Sequence, residues 1–178
     1  MERSFKAEVA KLELGDGDTF HGEGILAVTK ALLQSGVAYV GGYQGAPVSH
    51  LLDVLVDAED MMAELGVHLE TCTNEASAAA MLGASINYPL RGAVTWKSIV
   101  GTNVAADALS NLSSPGVLGG AMIILGEDYG EGTDAIHVAA DTKSHSGKIS
   151  VLGADDVGAV TNDDVAFRRE VFGRGACY

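Results

Sequence analysis

The feature that most constrains the fold is a strand, a turn and a helix written twice in succession between Tyr39 and Ile86. Val37 to Val40 is a short apolar run rich in β-branched residues and stopped by Gly41 and Gly42, the pattern of a buried strand entering a tight loop. The turn Gly41-Gly42-Tyr43-Gln44-Gly45-Ala46-Pro47 then opens a helix, with Pro47 at a first helical position, where the missing N–H has no intrahelical partner to lose. Val48, Leu51, Leu52, Leu55 and Val56 recur at i, i+3, i+4, i+7 and i+8 and form its apolar stripe, while Asp57, Glu59 and Asp60 fall off that stripe toward water. A second strand, Val67 to Cys72, follows Gly66. It delivers Thr73-Asn74-Glu75-Ala76 to the start of an Ala-rich helix, Ala76 to Ile86.

The same unit continues on both sides. Gly24 to Gln34 carries a helix stripe through Ile25, Val28 and Leu32, with Gly36 as its C-terminal stop. Arg91 to Trp96 reads as a third strand, Lys97 to Asn103 as a polar loop, and Val104 to Leu112 as a helix capped by Thr102 or Asn103. After a turn at Ser113-Ser114-Pro115-Gly116, Val117 to Leu125 is the most apolar run and a central strand. Strands and helices alternating at this spacing predict a three-layer α/β domain with a mainly parallel sheet, its buried strands being Val37–Val40, Val67–Cys72, Arg91–Trp96 and Leu118–Leu125. Ligands of such sheets sit at the carboxyl ends of the strands. Gly41 to Pro47, Thr73 to Glu75, Lys97 to Asn103 and Glu127 to Gly132 are therefore expected at one end.

With 47% hydrophobic but only 6% aromatic residues, the core must be built from Val, Leu, Ile and Ala, which suits helices packed closely on a parallel sheet. A chain of 178 residues accommodates one such core. The expected division is an N-terminal arm, 1–18, with a short strand at Lys11 to Leu14; the α/β domain, 19–134; and an Asp- and Gly-rich C-terminal extension, 135–178. The extension is read as one strand, Lys148 to Leu152, and a short terminal helix around Phe167 to Phe172, with disorder as the alternative.

The formal net charge of −13 disfavours nucleic acid and anionic membrane surfaces as partners, whereas a small anion can still be held locally by backbone N–H groups. Cys72 and Cys177 form no metal-spaced set, and His21, His50, His68, His137 and His145 share no ligand spacing. Met1 to Asp18 holds charges and no apolar export segment, and no run is long enough to cross a bilayer, so a cytoplasmic location is expected. The turn at Gly41 lacks the GxGxxG spacing of a dinucleotide loop.

Three ordered segments carry a family resemblance. Gly42-Tyr43-Gln44-Gly45-Ala46-Pro47-Val48-Ser49 resembles the GYPGTPxS turn of the thiamine-diphosphate-dependent 2-oxoacid:ferredoxin oxidoreductases, most closely the indolepyruvate branch. Thr73-Asn74-Glu75-Ala76 is similar to that family's T/GNEAxA, and Lys97 to Asp107 to its KxxGxNVAAD. The resemblance implies the pyrimidine-binding (PYR) domain, with Gly45, Ala46, Pro47, Asn74 and Glu75 on the aminopyrimidine half of thiamine diphosphate and Ser49, Lys97, Gly101 and Asn103 toward the substrate. It further implies that Glu75 hydrogen-bonds the pyrimidine N1′ and is the catalytic residue through which the thiazolium C2 loses its proton. A diphosphate-binding domain or subunit would bring Mg²⁺, iron–sulfur clusters elsewhere would take electrons toward ferredoxin, and coenzyme A would receive the acyl group. A homo- or hetero-oligomer follows from that division of labour. Two departures stand out: Ala46 occupies a usual Thr position, and the acidic segment after the last strand is half kept, as Glu127-Asp128-Tyr129-Gly130-Glu131-Gly132. Gly15-Asp16-Gly17 matches the family's diphosphate motif in letters only, since Gly41 and Gly42 stand where its Asn belongs.

Plainer readings exist for each residue. Glu75 fits a first-turn carboxylate stabilised by the helix dipole, Lys97 a solvated lysine and Asn103 a cap. Beside the oxidoreductase component stand two alternatives, the PYR subunit of a 2-oxoacid decarboxylase and a diverged, non-catalytic dimerisation module. Either way the chain by itself is not expected to turn over 2-oxo acids, having neither a diphosphate-binding motif nor cluster cysteines.

Overall fold

Short apolar runs bounded by glycine become strands, and the stretches between them become helices. The computed structural model describes residues 4–46, 48–126 and 149–152. Tyr39–Gly42 (β1), His68–Thr71 (β2), Arg91–Lys97 (β3), Gly120–Gly126 (β4) and Ile149–Leu152 (β5) form one sheet in the order β2-β1-β3-β4-β5. Every neighbouring pair is parallel. The helices are Gly24–Gln34 (α1), His50–Asp57 (α2), Glu59–Leu65 (α3), Glu75–Met81 (α4), Ala84–Asn87 (α5) and Ser98–Ser113 (α6).

Because successive strand residues point to opposite faces, β1, β3 and β4 feed two separate cores. Val40, Ala93, Met122 and Ile124 join Leu26, Val28 and Leu32 of α1, Leu51, Val54 and Leu55 of α2, and Met62 of α3. Tyr39, Val94, Trp96, Ala121, Ile123 and Leu125 join Ala78 and Ala79 of α4 and Ala105 and Leu112 of α6. The result is helix layer, sheet, helix layer. In the second core burial pushes the Tyr39 hydroxyl above its ordinary pKa, while it bonds to Ser85 Oγ and donates to the Leu82 carbonyl at 3.2 Å.

Several expectations need correction. Val67 to Cys72 is not the buried strand its sequence predicts: β2 is a four-residue strand at the edge of the sheet among the described residues, with His68, Glu70 and Thr71 exposed. The expected loop Lys97 to Asn103 is mostly helix, because α6 starts at Ser98 straight after β3. Thr102 and Asn103 thus lie inside α6 and cap nothing. The Ala-rich helix breaks at Leu82-Gly83 into α4 and α5, and α3, unmarked by any clear stripe, follows α2 after Ala58. The strand expected at Leu118–Leu125 begins at Gly120 as β4, leaving Leu118 exposed.

The strand expected at Lys11 to Leu14 is instead a 3₁₀ helix, Val9–Glu13. Phe5 and Leu12 of this N-terminal stretch are buried in the first core, and Asp57 at the end of α2 accepts from the Phe5 amide. Pro47, Glu127 to Gly132 and the anticipated terminal helix lie outside the described residues. Since Phe5 is fully buried, Phe5→Ala should cost about 3–5 kcal/mol. A denaturant melt reporting a loss below about 1 kcal/mol would place this residue outside the cooperative unit.

Candidate functional site

The strand order reverses direction at β1. From β1 the chain enters α2 in one helix layer, whereas from β3 it enters α6 in the other, so the carboxyl ends of β1 and β3 flank a topological switch point. At that point β1 is fixed on both sides. The Cys72 amide donates to the Gly42 carbonyl at 2.8 Å, and the Tyr43 amide donates to the Thr95 carbonyl at 3.0 Å. A Cβ at Gly42 would lie 2.3 Å from the Thr95 carbonyl oxygen, so glycine is required there by backbone contact.

The turn then crosses the junction of β3 and α6. A Cβ on Gly45 would meet Lys97 Cβ at 2.8 Å and the Lys97 nitrogen at 3.0 Å, which brings Gly45 and Lys97 into direct contact. Gln44 Nε2 donates to Asp53 Oδ1 at 3.3 Å, and Asp53 Oδ2 lies 2.9 Å from His50 Nδ1. The His50 ring in turn meets Phe5 edge-on, its centroid 5.6 Å away. The turn is tied through α2 to the N-terminal segment. Ala46 and Tyr43 are exposed, and Ser49 is the half-buried residue preceding α2.

The start of α4 forms the other side. Asn74 caps the helix, its Oδ1 accepting from the Ser77 amide at 2.8 Å and from Ser77 Oγ at 2.7 Å. Glu75 follows as the first helical residue and is buried, 6% exposed. Its carboxylate has no hydrogen-bond or ion-pair partner among the described residues. No fully enclosed polar side-chain atom among those residues lacks a partner, so the Glu75 oxygens are not fully enclosed. Glu75 Cγ lies against Gly101 of α6, which is also covered by the Trp96 ring.

The residues singled out in the sequence divide accordingly. Gly45 meets Lys97, and Glu75 meets Gly101; Asn74 Oδ1 is engaged in capping; Asn103 is exposed on α6 roughly 200° around the helix from Gly101. Pro47 and the side chain of Ser98 lie outside the described residues. The sequence reading passed over Trp96 and Asp53. Trp96 carried a signal, as the sole tryptophan at the end of an apolar strand. Asp53 carried none, being one acid within a leucine-rich helix. Half-buried Cys72 has its thiol pushed up, chiefly by burial, and no group of three or more His, Cys, Asp or Glu among the described residues could hold a metal.

In parallel, doubly wound sheets of this kind the switch point, here lined by glycine turns, is where ligands commonly bind. No family model matches the chain. It is 29% identical over 117 residues to the indolepyruvate oxidoreductase subunit IorA of Methanothermobacter marburgensis, which covers 66% of this chain and 18% of that protein. To the same-named subunit of Thermococcus kodakarensis it is 33% identical over 102 residues, 57% of this chain and 15% of that one. The chain therefore spans less than a fifth of the curated relatives it matches. Among solved structures, a 2-oxoglutarate:ferredoxin oxidoreductase from Magnetococcus marinus, with 2-oxoglutarate, coenzyme A and succinyl-CoA bound, shares the fold at TM-score 0.51 and 14% identity, over 79% of this chain and 32% of that one. The chain is thus similar, at 29–33% identity over 57–66% of its length, to subunits of indolepyruvate oxidoreductases, and it shares its fold with a 2-oxoglutarate:ferredoxin oxidoreductase.

The cap geometry is directly testable. Asn74→Ala should lower stability by about 1 kcal/mol, and Asn74→Ser should recover most of that in a thermal melt. Equal losses for both variants would remove the cap from the account of how Glu75 is presented.

Proposed function

We propose that this chain is the pyrimidine-binding part of a thiamine-diphosphate-dependent 2-oxoacid:ferredoxin oxidoreductase of the indolepyruvate type. The observation that carries the reading is Glu75, a buried carboxylate without a partner among the described residues, beside the glycine turn at the switch point. A buried acid costs free energy unless something compensates it, which makes an otherwise unpaired one a candidate for ligand contact. The donor set fits an aminopyrimidine. A carboxylate accepts from, or shares a proton with, a ring nitrogen, and a glycine-lined turn lets a flat ring approach the backbone.

Thiamine diphosphate, when bound, supplies the carbon nucleophile for attack on the 2-oxo carbon. Glu75 holds the proton at N1′ and is the acid–base residue of this chain. Gly45, Ala46 and Pro47 would hold the aminopyrimidine ring, and Asn74 caps the helix whose first residue is Glu75. Lys97 and Ser49 are the polar groups toward the substrate, with Gly101 as the close-contact point. Asn103, exposed beyond Gly101, is the weakest member of this set. A partner domain or subunit supplies Mg²⁺ and the diphosphate site, and iron–sulfur clusters in the assembly carry electrons to ferredoxin. The relatives' designation as subunits supports an assembly.

Isothermal titration with thiamine diphosphate and Mg²⁺, with and without the candidate partner, should give tight binding only in the mixture. In the reconstituted complex Glu75→Gln should slow C2 hydrogen–deuterium exchange of the bound cofactor by about 10²–10⁴-fold while leaving cofactor affinity far less affected. An unchanged exchange rate would return Glu75 to the role of a helix-start carboxylate. Turnover of a 2-oxo acid by the purified chain alone would contradict the division of the site between chains.

A further inference from the structure

We propose that Trp96, acting through Gly101, is the positioning residue that sets the direction of the Glu75 carboxylate; its catalytic meaning rests on the reading of Glu75 as the pyrimidine-facing acid–base residue. Glu75 arrives from the first turn of α4, Trp96 from the end of β3 and Gly101 from the first turns of α6. A Cβ placed on Gly101 would lie 2.2 Å from Trp96 Cδ1, 2.8 Å from Trp96 Cγ and 3.0 Å from Glu75 Cγ. One point in space is thus bounded by the indole and by the aliphatic part of the glutamate. Only a hydrogen at residue 101 lets both approach.

The indole is the fixed member of the group. It is fully buried in the core that holds Ala78, Ala79 and Ala105, and its Nε1 donates to Thr102 Oγ1 at 3.4 Å. A close-packed interior of this kind leaves a ring no room to swing aside. Glu75 is the opposite case, a side chain with three rotatable bonds and no hydrogen bond or ion pair to a described residue. Its direction has to be set by what it touches. The surface formed by Gly101 and Trp96 stops Cγ on one side, so the carboxylate has to turn away from it. Helix α6 itself supports this account: it places a glycine, the poorest helix former after proline, in its early turns at the point where these side chains meet.

The test uses the full chain and the fact that Trp96 is its sole tryptophan. In Glu75→Gln the near-ultraviolet circular dichroism and emission of the indole should change, and in Glu70→Gln, a control on the exposed edge strand, they should not. The carboxyl-carbon resonance of Glu75, identified by its loss in Glu75→Gln, should be displaced or broadened in Trp96→Leu and in Gly101→Ala, and restored toward its original place in Trp96→Phe. It should stay put in Leu112→Ala, which opens a cavity in the same core at the far end of α6. A merely structural indole predicts equal disturbance by Trp96→Leu and Leu112→Ala. Identical indole spectra in wild type and Glu75→Gln, or an unmoved Glu75 resonance in Trp96→Leu, would overturn the proposal. Because Glu75→Gln keeps the side chain's size, the spectral comparison decides even where Gly101→Ala fails to fold. Should these results hold while C2 exchange in the assembled enzyme ignores Glu75→Gln, the cofactor reading falls and the positioning of Glu75 stands.

Discussion

The closeness of β1 to β3 at Gly42 is the constraint on which the rest depends. With the Thr95 carbonyl where a side chain would be, the backbone of β1 runs directly along its neighbour, and the turn that follows is laid across the start of α6. A larger residue would push the turn outward, part the two strands at their carboxyl ends and separate the two helices that diverge there. The glycines at 42, 45 and 101 therefore act as one device. Each removes a side chain where two backbones, or a backbone and an indole, must meet.

That device explains what could be read from the residues and what could not. Helix α1 is legible to its ends because an apolar stripe and a left-handed Gly36 mark it locally. The strands β3 and β4 are legible because continuous β-branched and apolar runs leave no other place for them. The start of α6 is not, since Ser98, Gly101, Thr102 and Asn103 are all indifferent or poor helix formers. Packing against α4 and Trp96 overrides that local preference, and a local rule broken in this way tends to coincide with a site.

Other misses share a different cause. Val67, Leu69 and Cys72 suggested a buried strand, but burial depends on which strand ends the sheet, and topology is not written in a six-residue window. The 3₁₀ helix and Phe5 were hidden because charged residues surround them and their contacts lie some fifty residues away, with Asp57 and His50. For the site, the glutamate and the glycine turns were visible as spaced letters. The wall that aims the glutamate was not, because only the folded chain brings residues 75, 96 and 101 to one point.

The edge strand β2 has a consequence of its own. An unpaired strand offers a row of free amides and carbonyls to any passing chain, which is how sheets grow into aggregates. Here that edge is only four residues long and carries His68 and Glu70, exposed side chains 3.5 Å apart. Short length and polar cover both discourage a foreign strand from adding. The same features that keep this strand short and polar thereby guard the folded chain against edge-to-edge aggregation.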